Sequence, residues 1–157
     1  MQGGKVMRYT VIVALMLAVG AAALAAQEFN APLVLVKKAD SCRVVTAGGG
    51  FTVHEVIHPK NDSVNPGFSI AKVLLGPGKS TVPHRLKTSA QVYYILKGKG
   101  ILHVEDTSFA IEPGDAIYIA PGLFQWAENT GKTDLEFICV VSPPWRAYDE
   151  EVIEPKK

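Results

Sequence analysis

Four side chains that can hydrogen-bond, His84, Gln91, Tyr93 and Gln125, fall between residues 78 and 129 at spacings that put them on one surface. In an extended strand residues i and i+2 share a face, so His84 and Leu86 point the same way. Gln91 and Tyr93 do so by the same rule. The short segment Lys87-Thr88-Ser89-Ala90 lets the chain reverse between the two pairs, and a later hairpin brings Gln125 in from across the interior. An imidazole, two amides and a phenol in apolar surroundings have the make-up of a small-molecule pocket. Leu86, with Phe124 or Trp126, supplies its apolar wall. The competing reading is a packed core whose polar groups satisfy one another. Other chemistries leave no trace: there is no G-x-S-x-G nucleophile elbow and no phosphate-cradling glycine loop. Arg85 alternates away from His84 and lies outside the pocket. His103 reads as a surface strand residue, and His54 and His58 read as non-ligands.

The elements that must position these residues are short and β-rich. They are FTVHEVI, FSIAKVLL, QVYYIL, GILHVE, SFAIE, DAIYIA and LEFICVV. Turn residues separate them, among them Gly76-Pro77-Gly78, Gly98-Lys99-Gly100, Pro113-Gly114-Asp115 and Pro121-Gly122. Beyond the first 26 residues no segment of ten or more has a helical period. Short strands at this spacing predict an all-β sandwich or closed barrel. The alternation of QVYYIL is imperfect, which predicts burial on both faces of some strands, by the barrel interior on one side and by a homodimer or second-sheet contact on the other.

Two spaced patterns make the fold more specific. The first is Gly78, five residues, His84, Arg85, Leu86, four residues, Gln91, six residues, Gly98. The second is Gly114, five residues, Ala120, Pro121, Gly122, two residues, Gln125, three residues, Asn129. In order and at this separation they resemble the two motifs of the cupin family, G-(x)5-H-x-H-(x)3,4-E-(x)6-G and G-(x)5-P-x-G-(x)2-H-(x)3-N. The resemblance implies a cupin-type barrel, a double-stranded β-helix or jelly roll. It also implies a divalent metal held at four positions by His, His, Glu and His. Here those positions are His84, Leu86, Gln91 and Gln125, so three of the four depart from the family pattern. A buried dication needs anionic or strongly donating ligands to replace its hydration. Two functions therefore stay open. One is a small-molecule-binding cupin with a degenerate metal site and no cofactor, holding a sugar or a carboxylate. The other is a metal-dependent enzyme of isomerase, epimerase, lyase or dioxygenase type, with His84, Gln91 and Gln125 as ligands and Tyr93 as acid or base.

The ends of the chain carry different signals. Lys5 and Arg8 precede an uncharged run that closes on Ala23-Leu24-Ala25. A basic start, an apolar centre and small residues at the end describe a secretory signal peptide over residues 1–25. An uncleaved anchor is the alternative, although the apolar run from Val11 to Ala26 is shorter than the roughly 17–25 residues that span a bilayer. Residues 26–50 then form an N-terminal extension with one short strand and a glycine turn, 51–142 the barrel, and 143–157 a tail. The acid-rich YDEEVIEPKK reads as a solvated C-terminus. The full chain has 16 basic and 15 acidic residues, and loss of the leader leaves it near neutrality. Such a balance excludes nucleic acid and, once the leader is gone, an anionic membrane as partners, since both require clustered Lys and Arg. The protein is thus expected to be exported, to the periplasm or beyond. Export makes a bridge between Cys42 and Cys139 chemically possible, but Cys139 in the apolar LEFICVV is more simply a buried, inert thiol.

Overall fold

The segment Leu135-Glu136-Phe137-Ile138-Cys139-Val140-Val141 buries every second residue, the period of a strand with one face on a core. In the structure, a computed structural model describing residues 34–153, this strand is the middle of a six-stranded antiparallel sheet. In spatial order the sheet contains β1 (Arg43–Ala47), β2 (Phe51–Ile57), β3 (Ser69–Leu75), β10 (Leu135–Ser142), β5 (Ala90–Lys97) and β8 (Ala116–Ile119). A second sheet of five strands runs β11 (Glu150–Val152), β4 (His84–Leu86), β9 (Gln125–Glu128), β6 (Gly100–Val104) and β7 (Thr107–Ile111). All pairings are antiparallel. The all-β architecture expected from the sequence is therefore the one observed. The expected signal peptide and the start of the expected N-terminal extension lie outside the described residues. No helix among the described residues is long and apolar enough to cross a membrane.

The inner faces of the two sheets make one core. Val73, Leu75, Tyr93, Ile95, Leu102, Ile111, Ile119, Leu135 and Phe137 are all buried in it. Two motif residues fasten its ends. Gly98 adopts a φ of 84° where the chain turns between β5 and β6, and a Cβ there would lie 2.5 Å from the Asp134 carbonyl oxygen. Only glycine tolerates both the dihedral and the approach. Asn129 is fully buried just after β9. Its amide donates to the carbonyls of Leu75 at 2.7 Å and Thr133 at 2.9 Å, and its oxygen accepts from the Gly131 N–H at 2.9 Å. The second motif thus ends in a staple between strands rather than in a reactive group.

Up to Ile153, where the described residues end, the acidic tail is not simply a solvated C-terminus. Residues 150–152 form β11 against β4, and Asp149 is only 2% exposed. Its carboxylate accepts from the Thr88 N–H at 2.9 Å, the Thr88 hydroxyl at 2.7 Å and the Ser89 N–H at 3.1 Å. The expectation failed because the segment is too polar to announce a strand. Its order comes from contacts with residues sixty positions away.

Candidate functional site

Strand parity decides which side chains meet. Gln91, Tyr93 and Ile95 of β5 point inward, and so do Cys139 and Val141 of β10, where Tyr93 lies opposite Cys139 and Gln91 opposite Val141. From the facing sheet come His84 and Leu86 of β4 and Gln125 of β9, with His84 directly opposite Gln125. The two glutamines touch across the interior: the Gln125 amide N–H donates to Gln91 Oε1 at 3.4 Å. Gln91 Nε2 in turn donates to Cys139 Sγ at 3.2 Å. Gln125 Oε1 is buried without a hydrogen-bond partner, and Gln125 itself is 1% exposed. A buried acceptor with no donor is costly, by about 1–3 kcal/mol, unless something brings it one.

His84 has one nitrogen committed. Its Nδ1 lies 2.8 Å from the Val82 carbonyl oxygen, and because that oxygen can only accept, Nδ1 carries the proton. Nε2 is left to act as an acceptor in the neutral ring or a donor in the imidazolium. Tyr93 packs at 5.2 Å between ring centroids on Phe137. Burial, joined by the Cys139 and Glu150 charges, pushes its phenol well above the usual value. The group stays protonated at neutral pH and can serve as a donor, not as a base. The Cys139 thiol is likewise pushed up to about 12 by burial, with the Gln91 bond acting in the opposite sense. Cys42 and Cys139 are both unbridged, and Cys139 is the inert buried thiol expected.

The apolar wall differs from the one expected. Phe124 lies under the Arg85 guanidinium, 4.6 Å from ring centroid to cation, and Trp126 stacks on His103 at 4.4 Å. Trp126 is directly opposite His103 on the outer face of the second sheet. Both aromatics flank Gln125 in sequence, and neighbours in a strand point opposite ways. With Gln125 inside, neither can share its face. The inner wall is made instead by Leu86, Val104 and Ile119. Val104 is the register partner of Gln125, and Ile119 that of Gln91. These last two residues also line a cleft of about 360 Å³ between the free edges of β7 and β8, together with Phe109, Ile111, Ile117 and Leu123. Phe109 faces inward opposite the fully buried Leu102, yet it is 48% exposed because the sheets part there. Of the site's surroundings the cleft includes Val104 and Ile119, and neither glutamine nor His84 is part of its lining.

The remaining histidines are held by backbone. His54 Nδ1 is 3.0 Å from the Ala39 carbonyl, and His58 Nε2 is 3.0 Å from that of Trp145. Among the described residues no group of three His, Cys, Asp or Glu side chains is placed to hold a metal. Two residues near the site were not anticipated from the sequence, Cys139 as partner of Gln91 and Glu150 on β11. Alternation along LEFICVV would have put Cys139 in phase with Phe137; nothing local marks Glu150.

Comparison with known proteins fits this geometry. Residues 71–141 match the family model described as a cupin domain. An uncharacterized protein of Methanocaldococcus jannaschii is 33% identical over 105 residues, which cover 67% of this chain and 83% of that protein. The chain belongs to the cupin family. A second relative, from Thermotoga maritima, is named an oxalate-binding protein and is 34% identical over 101 residues, covering 63% of this chain and 84% of its own. Among solved structures, one from Thermotoga maritima described as a predicted oxalate decarboxylase superposes with a TM-score of 0.63 at 26% identity, covering 69% of this cupin and 98% of that chain. The barrel expected from the two motifs is the cupin double-stranded β-helix.

Proposed function

We propose that this cupin is an exported homodimeric protein that binds a small polar molecule, of the sugar or organic-acid class, inside its barrel through its own side chains rather than through a resident metal. The observation that carries the reading is the orphaned Gln125 Oε1, buried opposite His84 and beside Gln91. It is an acceptor waiting for a donor, and its register partner Val104 lines the β7–β8 cleft. The donor set argues against a tightly held divalent ion. It offers one imidazole nitrogen, the aliphatic Leu86, a Gln91 oxygen that already accepts from Gln125, and no motif carboxylate to offset lost hydration. The Thermotoga relative, whose name gives oxalate as its ligand, supports a small polar molecule as the occupant of the barrel, without fixing its charge.

The test is thermal unfolding of the purified chain against a panel of sugars and small organic acids, with elemental analysis of the same sample. A ligand at a hundredfold its Kd stabilises by about 2.7 kcal/mol, a rise of several degrees in Tm. Gln125→Leu should abolish that rise while leaving the unliganded Tm near the parent value. Stoichiometric Zn, Mn, Fe or Ni that disappears in His84→Ala would overturn the metal-free reading. A panel that gives no stabilisation would overturn the pocket.

A further inference from the structure

The C-terminal strand brings an acid into the barrel that neither motif contains. Across the β4–β11 pair, Glu150 lies opposite Leu86, Glu151 opposite Arg85 and Val152 opposite His84. Arg85 donates from Nε and Nη2 to Glu151 Oε2 at 3.1 and 2.8 Å, and its guanidinium also covers Phe124. That pair marks the outer face. Directly opposed residues of an antiparallel pair share a face, so Glu150 projects inward with Leu86. His84 is its diagonal neighbour, at about 7–8 Å between backbones, within reach of a long side chain. The Tyr93 phenol senses the Glu150 charge from inside the core, after burial and Cys139. The strand is also fixed in place, because Asp149 grips Thr88 and Ser89 in the β4–β5 turn.

Glu150 engages no cation within salt-bridge distance among the described residues. Nearby Arg85 is committed to Glu151. The inner face therefore carries the Glu150 carboxylate, partly exposed and without a salt-bridge partner among the described residues, above the buried and unpartnered Gln125 Oε1. A ligand that brings hydroxyl or ammonium donors would satisfy both. A dianion brings only acceptors and a repelled charge.

We propose that Glu150 is a ligand-contacting residue of the interior site and sets its preference, favouring molecules that present hydroxyl or ammonium donors and excluding dianions. This assignment rests on the pocket reading above and narrows its ligand class. It is tested with oxalate as the probe, titrated calorimetrically at neutral pH into chelator-treated parent chain and Glu150→Gln. The variant should bind oxalate at least tenfold more tightly than the parent, about 1.4 kcal/mol. Glu150→Ala should move in the same direction, which guards against an effect peculiar to one variant. Equal affinities in parent and variants, including no binding by any of them, overturn the role of Glu150. Adding His84→Ala to Glu150→Gln should remove the gained affinity. If the double variant keeps it, oxalate sits elsewhere and the pocket reading falls too. If instead Gln125→Leu abolishes ligand stabilisation while Glu150→Gln leaves oxalate binding unmoved, the pocket stands and only the charge preference fails.

Discussion

Cys139 shows how one buried group couples the interior to pH. Its thiol lies inside the barrel, bonded by Gln91, and ionises near 12 instead of its usual 9.0 because burial penalises the thiolate. Between those values the unfolded chain loses the proton and the folded chain keeps it. Stability is therefore complete below about pH 9 and declines as pH rises toward 12. Tyr93, raised by burial as well, adds to the same decline. Urea unfolding at pH 8 and pH 10.5 should show the loss, and Cys139→Ala should flatten it measurably while lowering stability at pH 8 by about 1–2 kcal/mol. The same scale shows what the sequence could and could not convey. The i, i+2 rule brought out His84, Gln91, Tyr93 and Gln125 as inward residues, because parity is local. The same rule, applied to Phe124 and Trp126 on either side of Gln125, would have kept them out of the wall where they were expected; that expectation failed because it weighed their apolar rings over their parity. Which amide bonds which, and that Gln125 Oε1 is left over, depends on distances between sheets that no local pattern encodes.

At the scale of elements, the β11 strand and its Asp149 anchor govern the site. Burial opposes the Asp149 charge, but hydrogen bonds from Thr88 and Ser89 outweigh it and hold the carboxyl below its usual 3.8. A group with a depressed value contributes stability above the unfolded value, and that contribution is lost as pH falls through the folded one. Asp149→Ala leaves the Thr88 and Ser89 N–H groups unsatisfied and should cost about 2–4 kcal/mol in chemical denaturation. The deficit should shrink as pH falls through the folded value, where the parent carboxyl itself becomes protonated. Strands with alternating apolar residues and glycine-marked turns were readable from sequence because each carries its own period. β11 was not, since Asp149-Glu150-Glu151 lacks that period and takes its register from β4. The motif glycines were readable for the opposite reason. At Gly98 a positive φ and the nearby Asp134 carbonyl leave no room for another residue.

For the whole molecule, the outer face of the larger sheet carries the remaining expectation. Tyr94 and Leu96 of β5 alternate outward, and Tyr118 of the edge strand β8 joins them opposite the outward Val92. Tyr118 is 66% exposed, and exposed aromatics on a free sheet edge invite pairing with another copy. The homodimer proposed above is placed on this face. Sedimentation velocity on Tyr94→Glu/Tyr118→Lys should then give a monomer of unchanged Tm transition shape, whereas a dimer that persists in the variant puts the contact elsewhere. Tyr118 also lines the β7–β8 cleft with Phe109, so a dimer formed on this face would lie beside that cleft.

The Asp149 clasp also separates what packs the barrel from what charges it. The buried apolar cluster is drawn from β3, β5, β6, β7, β8, β9 and β10, and no residue of β11 belongs to it. The last strand is held by its pairing with β4, by the Arg85–Glu151 pair and by the Asp149 carboxylate at the β4–β5 turn. Packing and charge beside the interior thus come from different stretches of the chain, and a substitution in β11 can alter the second while leaving the apolar cluster's own residues untouched.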